Sequence, residues 1–177
     1  MRLALTVLVL MTGLAITADA QGRGRIAIFS DAELTDSSLV DAFPPRIADV
    51  YIAHVNHNGV TGSRFKLVAD PGFAGIWSSE ASQFAEVIGT SASGIEIYYA
   101  SCVAVDVIVL SVTYLLPGTS SACSCLRIVP YPGDEPYIVC NGCDFMELPC
   151  SGGGSLHVNC TVPVESTTWG RVKALYR

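Results

Sequence analysis

The chain has 177 residues, with 10 basic side chains against 16 acidic ones for a net charge of -6, and it is 50% hydrophobic but only 15% charged. That balance argues against nucleic acid and anionic membrane as partners, because both are held by clustered Lys and Arg that displace counterions. The only basic cluster falls in the last seven residues.

Residues 1–20 carry Arg2, an apolar run from Leu3 to Ile16, and then Thr17-Ala18-Asp19-Ala20, the small residues a signal peptidase reads. This predicts a cleaved secretory signal and no transmembrane segment afterwards, since the run falls short of the roughly 20 apolar residues a spanning helix needs. Arg2 and Asp19 cancel, so the chain from Gln21 onward keeps its acidity. One domain over residues 21–164 is expected. A chain of this size can bury about 70% of its unfolded surface, enough to be stable without crosslinks.

The apolar segments that follow are short, rich in Val, Ile and Tyr, and separated by Gly, Pro, Ser and Asp, which is an all-β rhythm. Arg25 to Phe29 reads as the first strand, followed by a polar loop from Ser30 to Pro45. From Arg46 to His57, Val50, Ile52 and His54 point one way and Tyr51, Ala53 and Val55 the other. Asn58-Gly59 signals a turn. After Ser63, the residues Phe65, Leu67 and Ala69 point inward and Arg64, Lys66 and Val68 outward, up to a stop at Asp70-Pro71-Gly72. Further strands are expected at Gln83 to Ile88, Gly94 to Ala100, Val105 to Leu116, Cys125 to Val129, Pro136 to Cys140 and Ser155 to Asn159. The run from Val107 to Leu116, bounded by Asp106 and Pro117-Gly118, fits a buried strand. Short strands at this spacing, with no helix long enough for parallel crossovers, predict an immunoglobulin-like β-sandwich. A lipocalin-type barrel is the alternative.

The one helical signal is a tail over residues 165–177. Thr167 or Thr168 as N-cap precedes a stripe of Trp169, Val172 and Tyr176 with Leu175 beside it, and Arg171, Lys173 and Arg177 suit the negative end of a helix. So short a helix is not stable alone, so it docks either on the sandwich or on an export or assembly partner.

All seven cysteines, Cys102, Cys123, Cys125, Cys140, Cys143, Cys150 and Cys160, lie in the C-terminal half. In an exported chain the default is disulfides, and an odd count leaves one thiol over. Cys123 and Cys125 share a face of an extended chain and so seek separate partners. The expected pairs are Cys125 with Cys143, Cys150 with Cys160 around Gly152-Gly153-Gly154, and Cys102 with Cys123, leaving Cys140 free. A zinc knuckle built from Cys-x-Cys and Cys140-Asn141-Gly142-Cys143 is the rival, but an oxidising compartment consumes thiols before metal is retained. No metal or cofactor is expected.

Catalytic patterns give little. There is no Gly-x-Ser-x-Gly elbow, and His54 and His57, three apart along a strand, fall on opposite faces and read as surface polar residues. Asp31, Glu33, Asp36 and Asp41 lack the glycine a calcium loop requires and read as a solvated loop. Trp77, placed in a loop after Gly72-Phe73-Ala74-Gly75, together with Tyr98, Tyr99 and Tyr131, supplies the aromatic candidates for a ligand surface. They form either an exposed platform for sugar rings or, for Trp77, a plug that closes the core.

The stretches Gly59-Val60-Thr61-Gly62-Ser63-Arg64-Phe65-Lys66-Leu67, Cys125-Leu126-Arg127-Ile128-Val129-Pro130 and Gly154-Ser155-Leu156-His157-Val158-Asn159, with the tail Trp169-Gly170-Arg171-Val172-Lys173-Ala174-Leu175-Tyr176-Arg177, carry a resemblance. The chain resembles a group of short exported β-sandwich proteins of uncultured bacteria, more distantly similar to cohesin modules. The resemblance implies export and a sandwich, and it carries over no catalytic residue. A cohesin presents a flat face to a dockerin helix, and no motif here singles out such a face. The expected function is a non-catalytic secreted or cell-surface module that binds an extracellular protein or polysaccharide. A carbohydrate-binding module is the alternative, and a thiol- or metal-dependent enzyme comes last.

Overall fold

Runs of β-branched and aromatic residues bounded by Gly, Pro and Asp form every regular element of residues 23–160, the part of the chain that the computed structural model describes. The predicted signal segment (1–20) and tail helix (165–177) lie outside these residues. The strands are β1 (Arg25–Phe29), β2 (Ser38–Leu39), β3 (Arg46–Val55), β4 (Val60–Ala69), β5 (Ile76–Ala81) and β6 (Glu86–Thr90). They continue with β7 (Gly94–Val103), β8 (Val107–Leu116), β9 (Ser124–Val129), β10 (Ile138–Gly142), β11 (Glu147–Gly152) and β12 (Ser155–Val158).

Two layers result. The first sheet runs β5-β8-β3-β1, antiparallel throughout, and its spine is the long β3–β8 ladder from Arg46↔Leu116 to His54↔Val107. The second runs β6-β7-β4 and continues with β9 and β10, which lie end to end along β4: Ala69 faces Leu126 on β9, and Val60 faces Gly142 on β10. Beyond them β12 and β11 are likewise in line, pairing with β9 and β10 respectively. Parallel pairing of β1 with β11 joins the layers along one side, and β2 adds a short parallel edge to β12.

The core is the set of side chains pointing between the layers. Ile26, Ile28, Val50, Ile52, Leu110, Val112 and Leu116 from the first sheet meet Phe65, Ile95, Ile97, Leu126, Ile128 and Leu156 from the second. At about 25 cal/mol per Å² of apolar surface buried, each contributes about 1.5–3 kcal/mol. The alternation read for β3 and β4 holds, except that Ala69 at the strand end is exposed. Ala53 and Val55, on the outward side of β3, are also buried, because the loop after β1 folds back and lays Leu34 over them. Asp31 pins that loop by accepting from the Thr35 and Asp36 amides and the Thr35 hydroxyl.

Several features depart from the sequence reading, among them β2, β5 and β11, which form where no strand was expected. Trp77 belongs to β5 rather than to a loop, because its backbone pairs with Tyr114 across the open edge of the first sheet. Gly152-Gly153-Gly154 does not reverse the chain: β11 runs on into β12 in the same direction, with the Gly154 carbonyl accepting from the Ile128 amide. Asp41, read as part of a solvated loop, is buried and accepts from the Gly118 and Ser120 amides.

Candidate binding surface

The outward side of the second sheet carries a polar network that the core does not need. Register places Ile88, Glu96, Arg64, Val139 and Pro149 in one cross-strand row, and Glu86, Tyr98, Gly62, Asn141 and Glu147 in the next. Arg64 on β4 is the hub. Its guanidinium pairs with Asp134, donates to Glu147 at 2.9 Å, and lies 3.9 Å from Glu96. Tyr98 donates to Glu96 at 2.6 Å, and this bond to a carboxylate, with burial second, pushes its phenol pKa up to about 12. Ion pairs this close to water add little stability individually, but several carboxylates sharing one planar guanidinium hold their geometry. Gly62 leaves the centre of the face low, since a side chain there would meet the Ile97 carbonyl at 2.9 Å. The face is thus acidic, with exposed Ile88 at one side.

The aromatic candidates do not gather. Tyr99 points into the core, where it stacks on Phe84, so it is no part of a surface. Tyr98 lies on the outward face of the second sheet and Tyr131 sits beside Gly94 at the start of β7. Trp77, at 49% exposure, neither plugs the core nor joins them, because it stands on the edge strand of the other sheet.

The histidines also correct the sequence reading. His54 and His57 are both buried, with ring centroids 4.6 Å apart. Asn56 between them takes a left-handed φ of 57°, which turns the chain and brings the two rings to one side. Nε2 of His54 donates to the Arg23 carbonyl at 2.7 Å, so Nδ1 is the acceptor for the Tyr99 hydroxyl at 3.1 Å, and Ser63 in turn donates to Tyr99 at 2.7 Å. Burial holds the His54 pKa down to about 4 and lowers that of His57 as well, so both are neutral at physiological pH. The ligand atoms of His54, Cys140 and Cys150 lie within 4.8 Å of one another. The two sulfurs are bonded to each other, however, and both nitrogens of His54 are engaged.

The disulfides are Cys102–Cys143, Cys123–Cys160 and Cys140–Cys150, and Cys125 is the free thiol. None of the three pairs expected from sequence forms, and Cys140 is not free. One cause explains all three misses. Because β9 and β10 lie in line, Cys125 is at the Ala69 end of β4 and Cys143 at the Val60 end, about 30 Å away along the strand. Cys150 and Cys160 are separated in the same way along β11 and β12, and Cys102 and Cys123 sit at opposite ends of β4. The true partners are close sideways. Cys102–Cys143 crosses over the start of β4 at Gly59, where an added Cβ would meet the Cys143 sulfur at 2.8 Å. The Cys125 thiol donates to the Asp70 carboxylate at 2.8 Å, and burial, with that carboxylate second, pushes its pKa up. A protonated buried thiol is a poor nucleophile.

Comparison with known proteins bears on the fold alone. No protein-family model matches the sequence, and no curated protein sequence does. Among solved structures, the cohesin module of the family 33 glycoside hydrolase of Clostridium perfringens matches with a TM-score of 0.51 at 13% identity, over 78% of this chain and 98% of that one. A chain of a type I cohesin–dockerin complex from Clostridium thermocellum matches with a TM-score of 0.51 at 9% identity, over 81% and 97%. The fold is cohesin-like.

Proposed function

We propose that this chain is a non-catalytic, exported protein-binding module that holds its partner on the outward face of β6, β7, β4, β10 and β11. The observation that carries the reading is the Arg64 network: a sheet face on which Glu96, Asp134 and Glu147 surround one guanidinium, with Glu86 in the adjoining row and an exposed Ile88 beside it. Such an arrangement supplies fixed hydrogen-bond acceptors and an apolar contact, and it suits a partner that brings basic or donor side chains. The cohesin-like fold, one of whose solved examples is part of a cohesin–dockerin complex, supports the same reading. Three disulfides fit an oxidising, extracytoplasmic compartment. The engaged His54 and the protonated Cys125 have structural roles, so neither serves as a base or nucleophile.

The test is capture of exported proteins from the source cells on the immobilised mature chain, compared with Ile88→Asp and Arg64→Ala variants. Binding that falls at least tenfold in both variants supports the face. Equal capture by all three overturns it. Binding to soluble polysaccharide that survives both variants favours the carbohydrate reading.

A further inference from the structure

The outward side of the first sheet carries a row of large apolar side chains that no element among the described residues covers. Ile47 on β3 and Ile76 on β5 are both register partners of Leu115 on β8, so the three lie side by side across the sheet. They are 73%, 58% and 40% exposed respectively. Val40 and Phe43, exposed in the segment that leads into β3, extend the patch: Arg46 donates to the Val40 carbonyl, and the Phe43 backbone packs on Gly118 just beyond β8. The adjoining row, Asp49, Thr113 and Ser79, is polar. Further along the same face, the apolar set Ala27, Ala53 and Val55 is covered by the chain's own loop through Leu34. Contiguous exposed apolar surface of this kind marks a contact site.

We infer that the Ile47–Leu115–Ile76 row seats the chain's own C-terminal segment, residues 165–177, through Trp169, Val172, Leu175 and Tyr176. This gives the apolar side chains of the tail a receptor, and it is independent of the partner face on the second sheet. The chain leaves the described residues beside the patch. Asn159 donates to the Asp41 and Ser120 carbonyls, and Asp41 in turn binds the Gly118 and Ser120 amides, so the last strand ends against the segments that carry Val40, Phe43 and Leu115. From Cys160, Trp169 reaches up to about 30 Å in extended form, which is ample for a patch only a few residues from Asp41. Charge favours the same occupant. Residues 23–160 hold 6 basic against 14 acidic side chains, whereas residues 161–177 hold Arg171, Lys173 and Arg177 against Glu165 alone. The apolar side chains Trp169, Val172, Leu175 and Tyr176 gain from burial, and the row offers an apolar strip three strands wide.

Hydrogen exchange of the full mature chain tests the inference, read by mass spectrometry on peptides from residues 165–177. Exchange at least tenfold slower than in a free synthetic 165–177 peptide is expected, with the protection lost in Ile47→Asp and in Trp169→Ala. Ile47 is largely exposed, so the substitution leaves the fold intact, and unchanged protection in β4 and β7 peptides verifies this. A wild-type tail that exchanges at the free-peptide rate overturns the inference, as does protection that survives Ile47→Asp. Protection that rises with protein concentration together with a doubled mass in light scattering assigns the row to a second copy instead.

Discussion

The two sheets solve the same problem by different means. The first, β5-β8-β3-β1, contains no cysteine and is held by the long β3–β8 ladder over a row of Val, Ile and Leu. The second contains or borders every cysteine, and its outer strands are broken into in-line pieces, β9 with β10 and β11 with β12. Each break costs ladder hydrogen bonds and orders a connecting loop, and the disulfides lie where those pieces meet their neighbours. Crosslinks therefore follow discontinuity of the strands, not shortage of apolar residues.

Full reduction with a dithiol should separate the sheets most clearly. Each disulfide removed from a fold of this size costs about 2–5 kcal/mol. Exchange by β9–β12 amides should accelerate before that of β3 and β8. Simultaneous acceleration in both sheets would show that the crosslinks stabilise the molecule globally and would break the comparison.

Acid should act from the first sheet. His54 on β3 has its pKa lowered from 6.5 to about 4 by burial, so the unfolded chain binds a proton that the folded one refuses. Stability from this group is complete above pH 6.5 and is lost as pH falls toward 4, by about 3 kcal/mol in all. Tyr99, His57 and the Arg23 carbonyl face the ring, and the Arg23 carbonyl and the Asp106 carboxylate favour protonation less than burial opposes it. Urea midpoints between pH 7 and 4.5 measure the slope, and His54→Gln should flatten it. A slope that persists in that variant would move the acid sensitivity to another group.

A smaller effect tests the strap over β4. Gly59→Ala puts a methyl group 2.8 Å from the Cys143 sulfur and 3.1 Å from that of Cys102, at a φ of 137°. A cost of about 1–3 kcal/mol is expected, as for other strained backbone positions. Much of it should be relieved when Cys102 and Cys143 are both replaced by serine. Equal cost with and without the disulfide would trace the strain to the backbone alone.

Much of the fold was legible in the residues, because alternation reports burial directly: β1 lies where it was read, and Val50, Ile52, Phe65 and Leu67 point inward as their spacing indicates. What alternation cannot report is how strands lie along one another. The pairing of the cysteines depends on β9 and β10 sharing one flank of β4, a long-range fact with no local signature. The missed β5 is an exposed edge strand with serines at its centre, so its pattern resembles a loop. The histidines were misread because a single left-handed residue, Asn56, changes which faces they share, and Asn is the one hint the sequence offers, being tolerant of that conformation. The Arg64 face was hidden for another reason. Its acids come from β6, β7, β11 and the loop before β10, so they meet only after the sheet has formed.

The Cys123–Cys160 bond has a mechanical consequence. It ties the end of β12 to the start of β9, its antiparallel neighbour. Tension applied to residues beyond Cys160 passes through a covalent link into Cys123, so β12 cannot be peeled from the sheet one hydrogen bond at a time. At the other end, β1 lies parallel to β11, and a pull along the strands loads that ladder in shear, where its bonds resist together. A pull between Arg25 and Cys160 is therefore carried by the β1–β11 ladder and the Cys123–Cys160 bond rather than by β12 alone.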